Sequence, residues 1–214
     1  MSDNPIEDEL HRRFGELLVP AGYNFEKLDN EVDGFVRRGH GIRQMLFFPL
    51  WDRAPAHEFT LSLGIRVEAV EAISNRFSGV LPEYQSSSHT CVINLKAIVP
   101  HLDRFTVYDA TIDHAVDQLT PYIANYIFPF IDAHRGVWSL DRLMNQGKPP
   151  EQVWGMEGWG SWVLWYAMSA SILARLAENA EFDKLVERYR HQIRDFDDDR
   201  ERYEKLVKHL RTLT

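Results

Sequence analysis

One cysteine, Cys91, is all the thiol chemistry that the 214 residues contain. That excludes an intramolecular disulfide and a cysteine-built zinc cage, and it fits a reducing compartment. Long apolar runs are also missing. The longest uncharged stretch lies between Glu157 and Arg175, and it is interrupted by Gly158, Gly160, Ser161, Ser169 and Ser171. A membrane span needs about 20 mostly apolar residues, so this stretch reads as a buried helix and no membrane association is expected. The opening MSDNPIEDELHRRF has no apolar segment. It is therefore not a secretory signal, and a cytoplasmic location is expected. The sequence has no Gly-rich phosphate loop, no G-x-S-x-G and no H-E-x-x-H. These absences remove the common nucleotide, serine-hydrolase and zinc-protease signatures, and no cofactor is expected. An excess of base is lacking too. Lys and Arg number 24 against 32 Asp and Glu, a net charge of −8. A protein that neutralises phosphates is ordinarily basic in at least one domain, so no nucleic-acid partner is expected.

What is present is an ordinary globular composition, 44% hydrophobic and 26% charged. The charge is unevenly spread. Residues 1–33 hold nine acids and three bases, whereas residues 34–56 hold Arg37, Arg38, Arg43 and Arg53 against Asp52. Asn4, Pro5 and Glu7 read as a helix start, with proline at the first helical position and an acid near the amino end. Ile6, Leu10, Phe14, Leu17 and Leu18 follow at helical spacing, and Pro20-Ala21-Gly22 ends the helix. From Tyr23 to Leu50 the pattern turns to strands, with turn signals at Asp33-Gly34 and Gly39-His40-Gly41. From Glu58 to Val67 apolar residues alternate with Thr60, Ser62, Gly64 and Arg66, which predicts one strand with a wet face. A short helix is expected over 69–77 and a strand over 89–98, with Cys91, Ile93 and Leu95 on one side.

Behind Pro100 the period becomes helical. One helix is expected over 109–131, kinked or divided by Pro121 and Pro129, then a short one over 139–146 and another over 160–179. In the last stretch Phe182, Val186, Tyr189, Ile193, Phe196, Arg200, Tyr203, Val207 and Leu210 recur in steps of four and three. This is a coiled-coil-like seam interrupted at Arg200, and it predicts a long amphipathic helix over 181–212, with a break near Asp197-Asp198-Asp199 left open. The fold class is therefore α+β: an amino-terminal helix on an antiparallel sheet of four to five strands, followed by an α-helical carboxy-terminal half. The expected division is 1–105 for helix plus sheet and 106–214 for the helical region.

Within this frame, the run GFVRRGHGIRQMLFFPLW, the segment HEFTLSLGIRVEAVEAI and Phe128-Pro129-Phe130-Ile131-Asp132 resemble the bacterial domain-of-unknown-function 4304 family over residues 5–135. The resemblance implies a bacterial protein with a helix-plus-sheet core. Because some such proteins sit near toxin systems, it also implies an immunity role. It supplies no catalytic residues.

Three residue groups could carry a function. Trp154, Glu157, Trp159, Trp162 and Tyr166 belong to a segment with four of the six tryptophans, interleaved with glycine. They could line an aromatic cleft for a flat or cationic ligand, or form a packing seam. Asp113, His114 and Asp117 share a helix, and with His101 or Asp109 they could hold a metal for a hydrolase; acids in a first turn also serve the helix dipole alone. Glu7, Asp8 and Glu9 at the amino end and Arg200 and Tyr203 near the carboxy end could form a partner surface. The partner would be a basic protein, or a second copy through the terminal helix. His89 and Cys91 would share one strand face as a nucleophile pair, but Cys91 is in phase with the core. A non-enzymatic interaction protein is the leading expectation. A small-ligand-binding domain built on 154–166 and a metal-dependent hydrolase are the alternatives.

Overall fold

A computed structural model of the chain describes residues 5–27, 33–53, 56–99, 105–108, 111–146, 160–194 and 196–213. The chain forms two compact units, Met1–Ile65 with Val92–Ala133, and Arg66–Cys91 with His134–Thr214. The sequence-based boundary at 105 falls inside the first. Among the described residues no helix is long and apolar enough to cross a membrane.

The first unit opens with helix α1, Pro5–Leu18. Proline at its start suits a position with no intrahelical N–H partner, and Glu7 and Asp8 meet the positive end of the dipole. Ile6, Leu10, Phe14 and Leu18, each four apart, are the buried stripe. Phe14 stacks on Phe48 at 4.1 Å and meets Phe59 edge-on at 6.3 Å. The helix ends where Gly22 takes φ +86° and the Tyr23 N–H returns to the Leu18 carbonyl.

Strands β1 (Asn24–Lys27), β2 (Asp33–Gly39), β3 (Ile42–Phe47), β6 (Ser62–Val67) and β7 (Cys91–Asn94) form an antiparallel sheet in the order β1-β2-β3-β6-β7. Between β2 and β3 the chain reverses through His40 and Gly41, both at positive φ, 52° and 74°. That two-residue turn matches the twist of a hairpin. Asp33-Gly34 is not a turn but the start of β2. A Cβ on Gly34 would stand 2.8 Å from the Leu46 carbonyl, so close strand approach accounts for this glycine.

A second sheet contains β4 (Leu50–Arg53), β5 (Ala56–Phe59) and β8 (Phe105–Val107), in the order β4-β5-β8. The single strand expected over Glu58–Val67 is therefore two, β5 and β6, one in each sheet. The Thr60 N–H pairs with the Pro49 carbonyl at the crossing. The expected wet face is absent as well. All of β6 is buried, Ser62, Gly64 and Arg66 included, because it is an interior strand with both faces covered. Leu95 leaves the sheet and opens the helical turn α3, Leu95–Ile98.

Helix α4, Ile112–Tyr122, packs on α1 and ends in a π-helical turn over Ile123–Ile127 before α5, Phe128–Ala133. Pro121 lacks the N–H that a regular ladder needs, and the widened turn follows it directly. The strand arginines are engaged locally. Arg37 lies over the Tyr23 ring, donates to Gln44 at 2.9 Å and pairs with Asp132 at 3.3 Å, while Arg38 pairs with Glu26.

The second unit is helical. Its first segment carries α2, Glu68–Ser74, and a loop fixed by buried polar groups. Glu71 is fully buried, and its carboxylate accepts from Ser88 Oγ at 2.6 Å and Thr90 Oγ1 at 2.8 Å. Thr90 Oγ1 in turn accepts the Val67 N–H, and Arg66 donates to the Gln85 carbonyl and to Ser88. Helix α7, Gly160–Leu176, is the hub on which α2, α6 (Val137–Gln146), α8 (Phe182–Gln192) and α9 (Asp197–Leu210) all pack. Ala167, Ala170, Ser171 and Ala174 are buried and let these neighbours come close.

The long helix expected over 181–212 is two helices. Asp197, Asp198 and Asp199 begin α9, where the dipole favours acids, and Phe196 before them is extended at φ −122°, ψ 97°. The seam stays inside the unit, with Val186, Tyr189, Ile193, Tyr203, Val207 and Leu210 all buried.

Candidate functional site

Of the tryptophan-segment residues, Trp154, Glu157 and Trp159 lie outside the described residues. Trp162 is placed only as backbone of α7. Tyr166 is buried, and its hydroxyl donates to the Met144 carbonyl. Tyr166 is therefore a core residue.

Asp113, His114 and Asp117 are exposed on α4. Asp113 pairs with Arg13 at 2.8 Å, and the His114 ring meets the Gln118 amide at 3.0 Å. Among the described residues no three His, Cys, Asp or Glu side chains are grouped to hold a metal ion. His101 and Asp109, the expected third ligands, lie outside them.

Glu7, Asp8 and Glu9 are half-exposed on the first turns of α1, with Glu9 held by Arg12. Arg200 is exposed and pairs with Asp197 at 2.8 Å. Tyr203 is not at the surface: it is fully buried, with its hydroxyl 2.6 Å from Ser171 Oγ. The aromatic ring is what the apolar seam needs, and the Ser171 hydroxyl satisfies its polar tip. Cys91 is fully buried, and burial pushes its thiol up, so it is not a ready thiolate.

A different set of residues converges in the second unit. On α6, Asp141 and Asn145 stand one turn apart and both are buried. The Asn145 amide donates to Asp141 Oδ1 at 2.7 Å and to the Ala170 carbonyl of α7 at 2.9 Å. The other Asp141 oxygen accepts from the Asn179 amide at 2.7 Å. The Tyr189 hydroxyl of α8 donates to Asn145 Oδ1 at 2.6 Å, and Arg188 Nη2 donates to the Tyr189 oxygen at 2.7 Å. Arg188 Nη1 also reaches the Asn145 carbonyl at 3.3 Å, at the end of α6 where carbonyls lack helical partners. Three helices are thus tied by one asparagine. Burial raises the phenols of Tyr166 and Tyr189, and for Tyr189 the neighbouring Arg188 opposes that rise. Both are neutral donors at physiological pH. Each hydroxyl anchors the packing of its helix through the bonds it donates to Met144 and Asn145.

Beside this network opens a cleft of about 320 Å³, lined by Asn145, Gln146, Asn179, Glu181, Lys184, Leu185 and Arg188. Residue-by-residue inspection of the sequence misses it. The available signal was the pair of polar residues four apart, Asp141 and Asn145, beside the apolar Leu140 and Met144 on α6.

No protein-family model, no curated protein and no solved structure matches the chain.

Proposed function

We propose that the protein acts without catalysis, by binding a basic protein partner, as an immunity or accessory factor. The carrying observation is the charge layout of α1. Its apolar stripe is spent on the core, which leaves Glu7, Asp8 and Glu9 at solvent-accessible positions of a chain with net charge −8. Fields of one sign speed encounter with a partner of the other and select against like-charged competitors. The burial of the Cys91 thiol and of the Tyr166 and Tyr189 phenols, each held protonated, supports a binding role over a nucleophilic one. A bacterial setting beside a toxin gene is what the family resemblance implies, and genome neighbourhood tests that part directly.

The test is affinity capture on the full chain at about 50 mM and about 500 mM salt, followed by titration of the identified basic protein. The expected result is nanomolar binding that weakens about tenfold or more at high salt and in the triple variant Glu7→Lys/Asp8→Lys/Glu9→Lys. Absence of any basic, salt-sensitive partner overturns the reading.

A further inference from the structure

The cleft at the end of α6 is a second, independent feature, and we propose that it is a binding site for a small carboxylate-bearing molecule. Arg188 carries the argument. Its guanidinium is fixed by three oxygens, the Asn145 carbonyl at 3.3 Å, Asn145 Oδ1 at 3.5 Å and the Tyr189 hydroxyl at 2.7 Å, all of them uncharged. No carboxylate among the described residues pairs with it, whereas its neighbour Arg190 is held by Glu187 and Glu204. The groups that hold Arg188 are buried, Asn145 at 6% exposure and Tyr189 at 1%, while Arg188 itself stands at the surface. The result is a pre-positioned cation with donors to spare at the wall of an open cleft.

The other charges set the ligand's charge. Lys184 lines the cleft but is compensated by Glu181 at 2.7 Å, and Asp141 lies behind Asn145, engaged by two amides. Two cations, Arg188 and Lys184, thus stand close to two anions, Glu181 and Asp141, and a cleft so nearly balanced suits a monoanion on Arg188 better than a phosphate. Gln146 also lines the space, and Leu185 offers an apolar surface for the rest of the ligand. At about 320 Å³ the volume lies at the small end of ligand pockets, so the occupant is a small metabolite-sized acid and not a cofactor.

The experiment uses the full chain with benzoate, acetate, phosphate and chloride at equal ionic strength. Thermal unfolding reads stabilisation, and amide NMR reads location. Benzoate at ten times its Kd is expected to raise the melting temperature by about 3 to 6 °C over chloride. The accompanying shifts are expected at Gln146, Asn179, Lys184 and Arg188. Arg188→Gln is expected to weaken benzoate binding about tenfold or more, because it removes the charge-assisted contact. If that variant does not fold, the wild-type shift map alone decides. Three results would each overturn the proposal: no carboxylate-specific stabilisation at about 20 mM benzoate, shifts clustered away from α6 and α8, or phosphate binding as well as benzoate.

Discussion

Arg190 on α8 grips Glu204 on α9 with two parallel bonds, Nε to Oε1 and Nη2 to Oε2, each 2.6 Å. Two turns away along both helices, Asp183 pairs with Arg211 at 2.9 Å. The same seven-residue step separates the partners on each helix, so the two pairs fix the register of an antiparallel helical hairpin. Both lie at its surface, and exposed pairs are weak. Arg190→Ala is expected to cost only about 0.5–1 kcal/mol, with the loss shrinking at high salt. Urea unfolding at two ionic strengths measures it. A salt-independent loss well above that would mean that the arginine stem, rather than its charge, holds the hairpin.

Asn145 is expected to matter far more. Replacing it with alanine leaves the buried Asp141 with one donor fewer and the Tyr189 hydroxyl without its acceptor. The expected loss is about 2–4 kcal/mol. Tyr189→Phe removes the bond to Asn145 and the one from Arg188 but leaves the asparagine's own bonds to Asp141 and Ala170, and should cost about 1–2 kcal/mol. Denaturant titration of both variants provides the comparison, and equal losses would show that the asparagine is not the node.

In the second unit's first segment, Thr90 serves two partners, the Val67 N–H and the Glu71 carboxylate. Thr90→Val keeps the shape and loses both bonds. A destabilisation of about 1–3 kcal/mol is expected, with earlier proteolytic cutting over residues 85–90. Unchanged protease resistance would separate the loop from the Glu71 cluster.

The pH dependence follows from burial. The phenols of Tyr166, Tyr189 and Tyr203 are all raised above the ordinary 10.0, and burial is the largest cause in each case. Their neutral forms favour the fold, so this contribution is complete below pH 10 and falls as pH rises beyond it. Absorbance titration at 295 nm should show these three ionising only with unfolding. His11, packed 4.6 Å from the Phe25 ring, has the opposite sense. Burial lowers it from 6.5, so the unfolded chain binds the extra proton and stability declines as pH drops below that value. Histidine NMR titration reads the depressed midpoint directly.

Leu63→Asp places a charge on interior strand β6 and is expected to cost about 3 kcal/mol or more, read as loss of cooperative thermal unfolding.

The parts of the fold readable from sequence are those with local causes. The turn at His40-Gly41, the stripe on α1 and the crowded small residues of α7 are each written within a few neighbouring positions. The wet face expected of β6 failed because Ser62 and Gly64 are small enough to bury, and Arg66 finds its acceptors at Gln85 and Ser88, far along the chain. The same distance hid the cleft. Asn179 meets Asp141, and Tyr189 meets Asn145, across separations that no local pattern encodes. A tryptophan-rich segment is visible in a sequence as composition, whereas a shared acceptor is not.

Each unit is assembled from two separate stretches of chain, and this bears on how the polypeptide is made. Residues 66–91 belong with 134–214, so as they leave the ribosome their packing partners do not yet exist. Helix α2 and the Glu71 cluster must stay unfinished while 92–133 complete the other unit, and they can close only when α6 to α9 arrive. A nascent chain that has emerged from the ribosome only as far as residue 133 would therefore carry one finished body and one loose, protease-sensitive loop.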